Sequence, residues 1–294
     1  MTAKELDPKV ITALAFDLDG TLLQSDKTLS SRTLAALRVC MDRGLRIIIA
    51  TGRSLDSGEV YRKLIGSDGP QVYYNGAEVA DLSAGKIIHT DLLTPEPALF
   101  CVELARKLGL YYQVYFPAGF AGPGEVLMAD ELTEEAADYT QSSGITVQAG
   151  DLAAYLSKPE LSGVIKGMFI TPEENHEHLR KVLKERYGDT LYVARSSPDF
   201  LETLAPGVSK GAGLLWALKY LGLKPENTIA FGDEENDLPM FATAGFSAAP
   251  ANAKEIVKAA ATFRLAANTD EGVAVFLEEW FGPKSGLVPG PGWK

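Results

Sequence analysis

Four short stretches carry side chains that could do chemistry. Asp17-Leu18-Asp19-Gly20-Thr21 closes an apolar run, and Thr51-Gly52-Arg53 closes a second. Gly207-Val208-Ser209-Lys210-Gly211 opens a helical pattern, and Gly232-Asp233-Glu234-Glu235-Asn236-Asp237 follows a third apolar run. Carboxylates so placed can attack an electrophile, exchange protons or hold a hard divalent cation. A hydroxyl and an ammonium can hold an anion. Each stretch also has a plainer reading: a turn for Asp-x-Asp-Gly, a solvated lysine, an acidic loop that caps a helix. Their common placement argues for more. In an open α/β sheet, ligands gather outside the carboxyl ends of the strands. Three predicted strands deliver Asp17 and Asp19, Thr51, and Asp233 to that one edge.

The elements that must position these residues follow from apolar periodicity. Ile11 to Asp19, Arg46 to Gly52 and Gln71 to Ala77 read as strands. Between them lie helices, one from Ser30 through Leu34, Leu37 and Met41 to Gly44, the next from Ser54 to Ile65. The alternation resumes late in the chain with helix Ser209 to Leu221, strand Thr228 to Asp233, helix Asp237 to Ala244 and strand Phe246 to Ala249. Ala253 to Ala260, Phe263 to Ala266 and Glu271 to Trp280 continue it. The expectation is an α/β fold, a Rossmann-like doubly wound parallel sheet. Strand-like stretches predominate over residues 81–195, with two clear helices, Glu96 to Leu108 and Glu173 to Tyr187. That region is expected to be an inserted α+β domain. The core would then comprise residues 1–80 and 196–294, with the Pro/Gly-rich residues 282–294 as a loose tail.

Composition narrows the partners. A chain of 294 residues favours two domains. At 46% hydrophobic and 23% charged residues it can bury a full core. A net charge of −11 argues against nucleic acid or an anionic membrane surface as the main partner. No apolar run approaches the roughly 18 residues of a membrane span. With a polar segment Met1 to Lys9, a cytoplasmic location is expected. Cys40 and Cys101 share no metal-ligand spacing and are expected to be buried thiols. So acidic a chain needs a cation, a lysine or helix N-termini to hold a small anion.

Taken in order, the four stretches resemble the four motifs of the haloacid dehalogenase superfamily, in its phosphatase branch. The resemblance covers residues 11–80 and 196–280. The insertion is similar to the type IIB cap of the Cof-like sugar phosphatases. Asn75-Gly76-Ala77 and Asn252-Ala253 are typical of that group, whereas Ala248 to Ala251 departs from its usual Met-Gly. The resemblance implies that Asp17 is the nucleophile and that Asp19 serves as acid and then base. It assigns Mg²⁺ to Asp17, the backbone carbonyl of Asp19, and Asp233, with Asp237 in support. Thr51, Gly52 and Lys210, with Asn236 beside them, would hold the phosphoryl group. An acid at position 19 separates phosphatases from dehalogenases, so the implied activity is hydrolysis of a small phosphorylated metabolite, such as a sugar phosphate.

Two other readings share this constellation. A phosphotransferase or mutase would pass the phosphoryl group to another hydroxyl. A phospho-receiver module would keep it as a signal, although the long insertion and Asp19 weigh against that. His176 and His178, two apart on a charged helix, read as solvated, and His89 as a lone histidine of the insertion.

Overall fold

The computed structural model of the chain describes residues 6–121 and 124–283. The expected tail lies, from residue 284 onward, outside the described residues. In chain order the first elements are β1 (Ala13–Phe16), α1 (Ser31–Asp42), β2 (Arg46–Ile49), α2 (Leu55–Ile65), β3 (Gln71–Tyr73), β4 (Glu78–Asp81) and β5 (Lys86–Thr90). There follow α3 (Pro95–Leu108), β6 (Tyr111–Phe116), β7 (Val126–Ala129), α4 (Glu134–Ser143), β8 (Val147–Ala149), α5 (Leu152–Leu156), β9 (Lys166–Ile170), α6 (His176–Tyr187), β10 (Tyr192–Ser197) and β11 (Phe200–Leu204). The last are α7 (Lys210–Leu221), β12 (Thr228–Phe231), α8 (Leu238–Thr243), β13 (Phe246–Ala249), α9 (Glu255–Ala260), β14 (Phe263–Arg264) and α10 (Gly272–Phe281).

The chain divides into two compact units, residues 1–52, 58–88 and 209–294, and residues 53–57 and 89–208. The first is built on a parallel sheet in the order β14-β13-β12-β1-β2. Its strands are short and apolar because both faces are covered. Leu14, Phe16, Ile47, Ile49 and Phe231 point into one core with Leu37 and Cys40 of α1 and Leu277 and Phe281 of α10. The alternate residues Ala13, Ala15, Ile48 and Ala230 face a second core with Leu214 and Leu218 of α7 and Met240 of α8. Small alanines on that second face let the helices carrying site residues lie close to the sheet. The chain winds from β1 to β2 on one side and through β12, β13 and β14 on the other, so the winding reverses between β1 and β12. A ligand is expected at that switch point.

The second unit holds a six-stranded sheet, β10-β11-β9-β6-β7-β8, antiparallel except for the β7–β8 pair. Its interior contains an ion pair, Lys166 to Glu202 at 2.9 Å, and a hydrogen bond between the hydroxyls of Tyr112 and Thr203 at 2.8 Å.

The unit boundaries differ from those expected at 80/81 and 195/196. β4 and β5 form a sheet with β3, and Asp81 closes the intervening turn by accepting from Ala84 N–H at 3.0 Å, so residues 81–88 stay with the first unit. β11 lies between β10 and β9, which keeps residues 196–204 in the insertion's sheet. The insertion also has two helices, α4 and α5, beyond the two expected. His176 is buried, not solvated; its ring Nε2 lies 3.2 Å from the Thr171 carbonyl, and burial lowers its pKa. Both cysteines are buried, and burial raises each thiol to about 12. No helix of the described residues is long and apolar enough to cross a membrane.

Phe231 is fully buried, stacked on Phe16 at 4.5 Å between ring centroids and met edge-on by Phe276 at 5.6 Å. Phe231→Ala should therefore cost about 3–5 kcal/mol. The urea midpoint should fall accordingly, and a loss under about 1 kcal/mol would contradict this packing.

Candidate active site

Strand register brings the functional stretches together. Phe16 is level with Phe231 on one neighbour and with Ile49 on the other. Asp17, the next residue, donates its N–H to Phe231 O at 2.9 Å, while Ala50 N–H donates to Phe16 O at 2.8 Å. Asp17, Thr51 and Asp233 thus leave adjacent strands at the same sheet edge. This is the convergence expected from the sequence.

After β1 the backbone makes a wide turn over Leu18–Leu22. Gly20 has φ +81°, and a Cβ there would lie 2.3 Å from Asp233 Oδ2. Only glycine meets both demands. The same turn aims Thr21 at Asp233, its hydroxyl donating to Oδ1 at 2.7 Å. Asn252 Nδ2 donates to Gly20 O at 2.7 Å and fixes the turn from a distant loop.

Lys210 is the first residue of α7, whose N-cap Ser209 accepts from Ala212 N–H at 3.1 Å. An ammonium at a helix N-terminus opposes the dipole, and burial opposes it further. Yet Lys210 is 1% exposed. Two carboxylates offset both costs: its Nζ donates to Asp17 Oδ1 at 2.6 Å and to Asp237 Oδ1 at 2.7 Å. Asp237 Oδ2 accepts from the N–H groups of Asp233 at 2.8 Å and Glu234 at 3.0 Å. One carboxylate therefore both closes a capping box on the 235–237 turn and fixes the lysine. α7 comes this close because Gly211 presents no side chain: a Cβ there would meet Pro239 O at 2.3 Å.

Asp17, Asp233 and Asp237 each offer an oxygen within 4.8 Å of the others, and all are buried. Burial raises the Asp17 carboxyl to about 7; Lys210 pulls it down, while Asp237 and Asp19 push it up. Burial likewise raises Asp233 to about 9, with Asp17 and Asp237 adding to the rise and Thr21 and Lys210 resisting it. For Lys210, burial acts to lower the pKa, but attraction to Asp17 and Asp237 outweighs it and the net shift is upward. Three acids facing one ammonium leave negative charge uncompensated. That donor set, all hard oxygens, fits a small divalent cation.

The remaining predicted residues fall around this centre. The Asp19 side chain lies outside the three-acid group, 32% exposed, with Oδ1 accepting from Lys27 Nζ at 2.8 Å. Thr51 is buried, and its carbonyl accepts from Asn75 N–H at 2.9 Å. Asn236 Nδ2 donates to Asn75 Oδ1 at 2.8 Å, so Asn236 braces the fourth stretch against the second through Asn75. Gly52 stays with the first unit, whereas Arg53 groups with the second. Thr21, Lys27 and Asn75 lie beside this centre as well, outside the residues expected from the sequence. Thr21 was legible as the residue after Asp-x-Asp-Gly. Lys27 carried no signal, being one lysine in a polar turn.

With this geometry established, comparison with known proteins gives the class. The family description of haloacid dehalogenase-like hydrolases matches residues 14–277. A Bacillus subtilis 5-amino-6-(5-phospho-D-ribitylamino)uracil phosphatase is 32% identical over 278 residues, covering 91% of this chain and 97% of that protein. A crystal structure from Thermotoga maritima has a TM-score of 0.74 at 31% identity, covering 92% of this chain and 97% of the other. A subclass IIB sugar phosphatase of the superfamily has a TM-score of 0.75 at 25% identity, covering 92% and 98%. The chain belongs to the haloacid dehalogenase-like hydrolases and, within them, to the Cof-like phosphatases.

The raised carboxyls fix the sign of a pH effect. Folded Asp17 and Asp233 hold protons that the unfolded chain releases near pH 4, so they lower stability progressively as pH rises toward their folded values of about 7 and about 9. Between pH 7 and 9 the melting temperature of chelated protein should fall, and Asp233→Asn should flatten the slope. A melting temperature constant across that range would contradict the buried arrangement.

Proposed function

We propose that the protein hydrolyses small phosphorylated metabolites, with Asp17 as the nucleophile. The single observation that carries the reading is the Lys210 ammonium shared between Asp17 and Asp237, with Asp233 in the same buried group. The ion pair with Lys210 holds one Asp17 oxygen in place, which orients the carboxylate for attack. In the first half-reaction a bond forms from an Asp17 carboxylate oxygen to phosphorus as the bond from phosphorus to the leaving oxygen breaks. Asp19 gives its proton to that leaving oxygen, so an alcohol departs. In the second half, water attacks phosphorus and loses a proton to Asp19. The bond from Asp17 to phosphorus then breaks, releasing inorganic phosphate and restoring both carboxyls.

Thr51 and Gly52 at the end of β2, together with Lys210, supply donors for the phosphoryl oxygens. Asn236 keeps that loop in register through Asn75. Asp17, Asp233 and the backbone carbonyl of Asp19 would hold Mg²⁺, with Asp237 steadying the loop. When bound, the ion offsets the charge of the acids and of the phosphate dianion. The named activity of the Bacillus subtilis relative supports a small phosphorylated metabolite as substrate. A sugar phosphate fits equally, given the subclass IIB sugar phosphatase among the similar structures. The chain's acidity agrees with a small substrate rather than a nucleic acid.

Purified protein should release phosphate from 4-nitrophenyl phosphate with steady turnover in Mg²⁺. EDTA should silence it, and added Mg²⁺ should restore it. Asp17→Asn should lower kcat by at least about 10³-fold while substrate still binds. Full activity in that variant, or activity that persists after exhaustive chelation, would sink the reading.

A further inference from the structure

The loop between β13 and α9 touches both turns that carry the acids of the site. Asn252 donates its Nδ2 to Gly20 O at 2.7 Å and accepts at Oδ1 from Asn268 N–H at 3.0 Å. Two residues on, Lys254 donates its N–H to Asp233 O at 3.1 Å. The loop itself is stiff. It leaves β13 at Pro250, whose φ is fixed by its ring, and closes with Ala253 N–H on Pro250 O at 2.9 Å. Ala253 is buried with Val257 in the second core of the sheet. By contrast, the turn over Leu18–Leu22 passes through Gly20, the residue type with the widest backbone freedom. That turn is held from outside, at Gly20 O by Asn252 and at Leu23 O by Asn268 Nδ2, 2.8 Å away. Gln24 Nε2 donates in turn to Asn268 O at 2.9 Å. Asn252 is exposed, so its hydrogen bonds replace bonds to water and add little to stability.

We infer that Asn252 is a positioning residue that sets the affinity of the acidic centre for its divalent cation. This rests on the magnesium-dependent reading and deepens it. In that reading one ligand is the backbone carbonyl of Asp19, on the peptide that joins Asp19 to Gly20. A carboxylate can turn about its own side-chain torsions to meet an ion. A peptide carbonyl cannot, because its direction follows the backbone on either side. Asn252 restrains the carbonyl of the next peptide, and the N–H of Lys254 restrains the main chain of Asp233, which supplies another ligand in that reading. One stiff loop thus sets the spacing of the two turns. Gly20 already lies so close to Asp233 that a Cβ would meet Oδ2 at 2.3 Å, so drift of one turn displaces the other. Residues behind the ligands commonly govern metal affinity in this way. Because Asn252 is uncharged, its truncation leaves the charge of the centre unaltered, and a change in cation affinity reports position.

The test titrates chelated, full-length protein with Mn²⁺, a paramagnetic stand-in for Mg²⁺, and follows the free ion by electron spin resonance. In Asn252→Ala the Kd for Mn²⁺ should rise about tenfold. The Mg²⁺ concentration that half-activates release of phosphate from 4-nitrophenyl phosphate should rise with it, and saturating Mg²⁺ should restore kcat. Asn268→Ala, which keeps the N–H that Asn252 accepts but releases Leu23 O, should raise the Kd by a smaller factor. If Asn252→Ala does not fold, Asn268→Ala is read in its place. An unchanged Kd with only the melting temperature lowered would mark a structural role and overturn the inference. A loss of kcat that saturating Mg²⁺ leaves uncorrected would also overturn it. Wild-type protein that binds no Mn²⁺ would instead overturn the magnesium-dependent reading, and this inference with it.

Discussion

The contact on which the site depends is the bridge from the Lys210 ammonium to Asp17 and Asp237. Four ionisable groups are buried around it, and each would cost several kcal/mol if left unpaired. The lysine pairs two of the acids, backbone N–H groups hold Asp237 from the other side, and the Thr21 hydroxyl holds Asp233. Three acids share one ammonium, and burial, with the neighbouring acids adding to it, pushes the carboxyls of Asp17 and Asp233 upward. That imbalance destabilises the fold and favours cation binding, because a divalent ion binds best where acids are already gathered and dehydrated.

The scaffold resists this repulsion through the sheet. β1 and β12 sit side by side at the point where the winding reverses, and their register brings Asp17 and Asp233 to one edge. The cores on both faces of the sheet fix that register, since a one-residue slip would exchange Leu14 and Phe16 with Ala13 and Ala15. Loops from distant parts of the chain then lock the ends. Asn252 holds Gly20, and Asn236 reaches Thr51 by way of Asn75. The acids are thus positioned by side chains that need touch neither phosphate nor metal.

Much of this was legible in the sequence for a definite reason. Buried parallel strands read as continuous apolar runs, and their ends are marked by the first polar residue, so Asp17, Thr51 and Asp233 stood out. Ser209 and Gly222 marked the ends of α7 for equally local reasons. What failed was nonlocal. β11, Phe-Leu-Glu-Thr-Leu, carries no pattern that assigns it to either unit, and only its pairing between β10 and β9 places it in the insertion. The third strand ended at Tyr73 rather than Ala77, because Tyr74 and Asn75 take positive φ in a turn that carries Asn75 toward Thr51. The Asn75-Gly76 pair was a turn signal that apolar periodicity obscured. Lys27 meets Asp19 through a turn stabilised by residues as far away as Asn268, which no sequence window contains.

The central claim is that the buried carboxylate paired with Lys210 forms the bond to phosphorus. The most direct measurement is peptide mapping by mass spectrometry of enzyme acid-quenched during turnover. Reduction with labelled borohydride before digestion would convert an acyl phosphate into a stable, marked alcohol. The mark should fall on the peptide carrying Asp17 and disappear when substrate is omitted. A mark confined to another residue, or none in enzyme shown to be turning over, would contradict it.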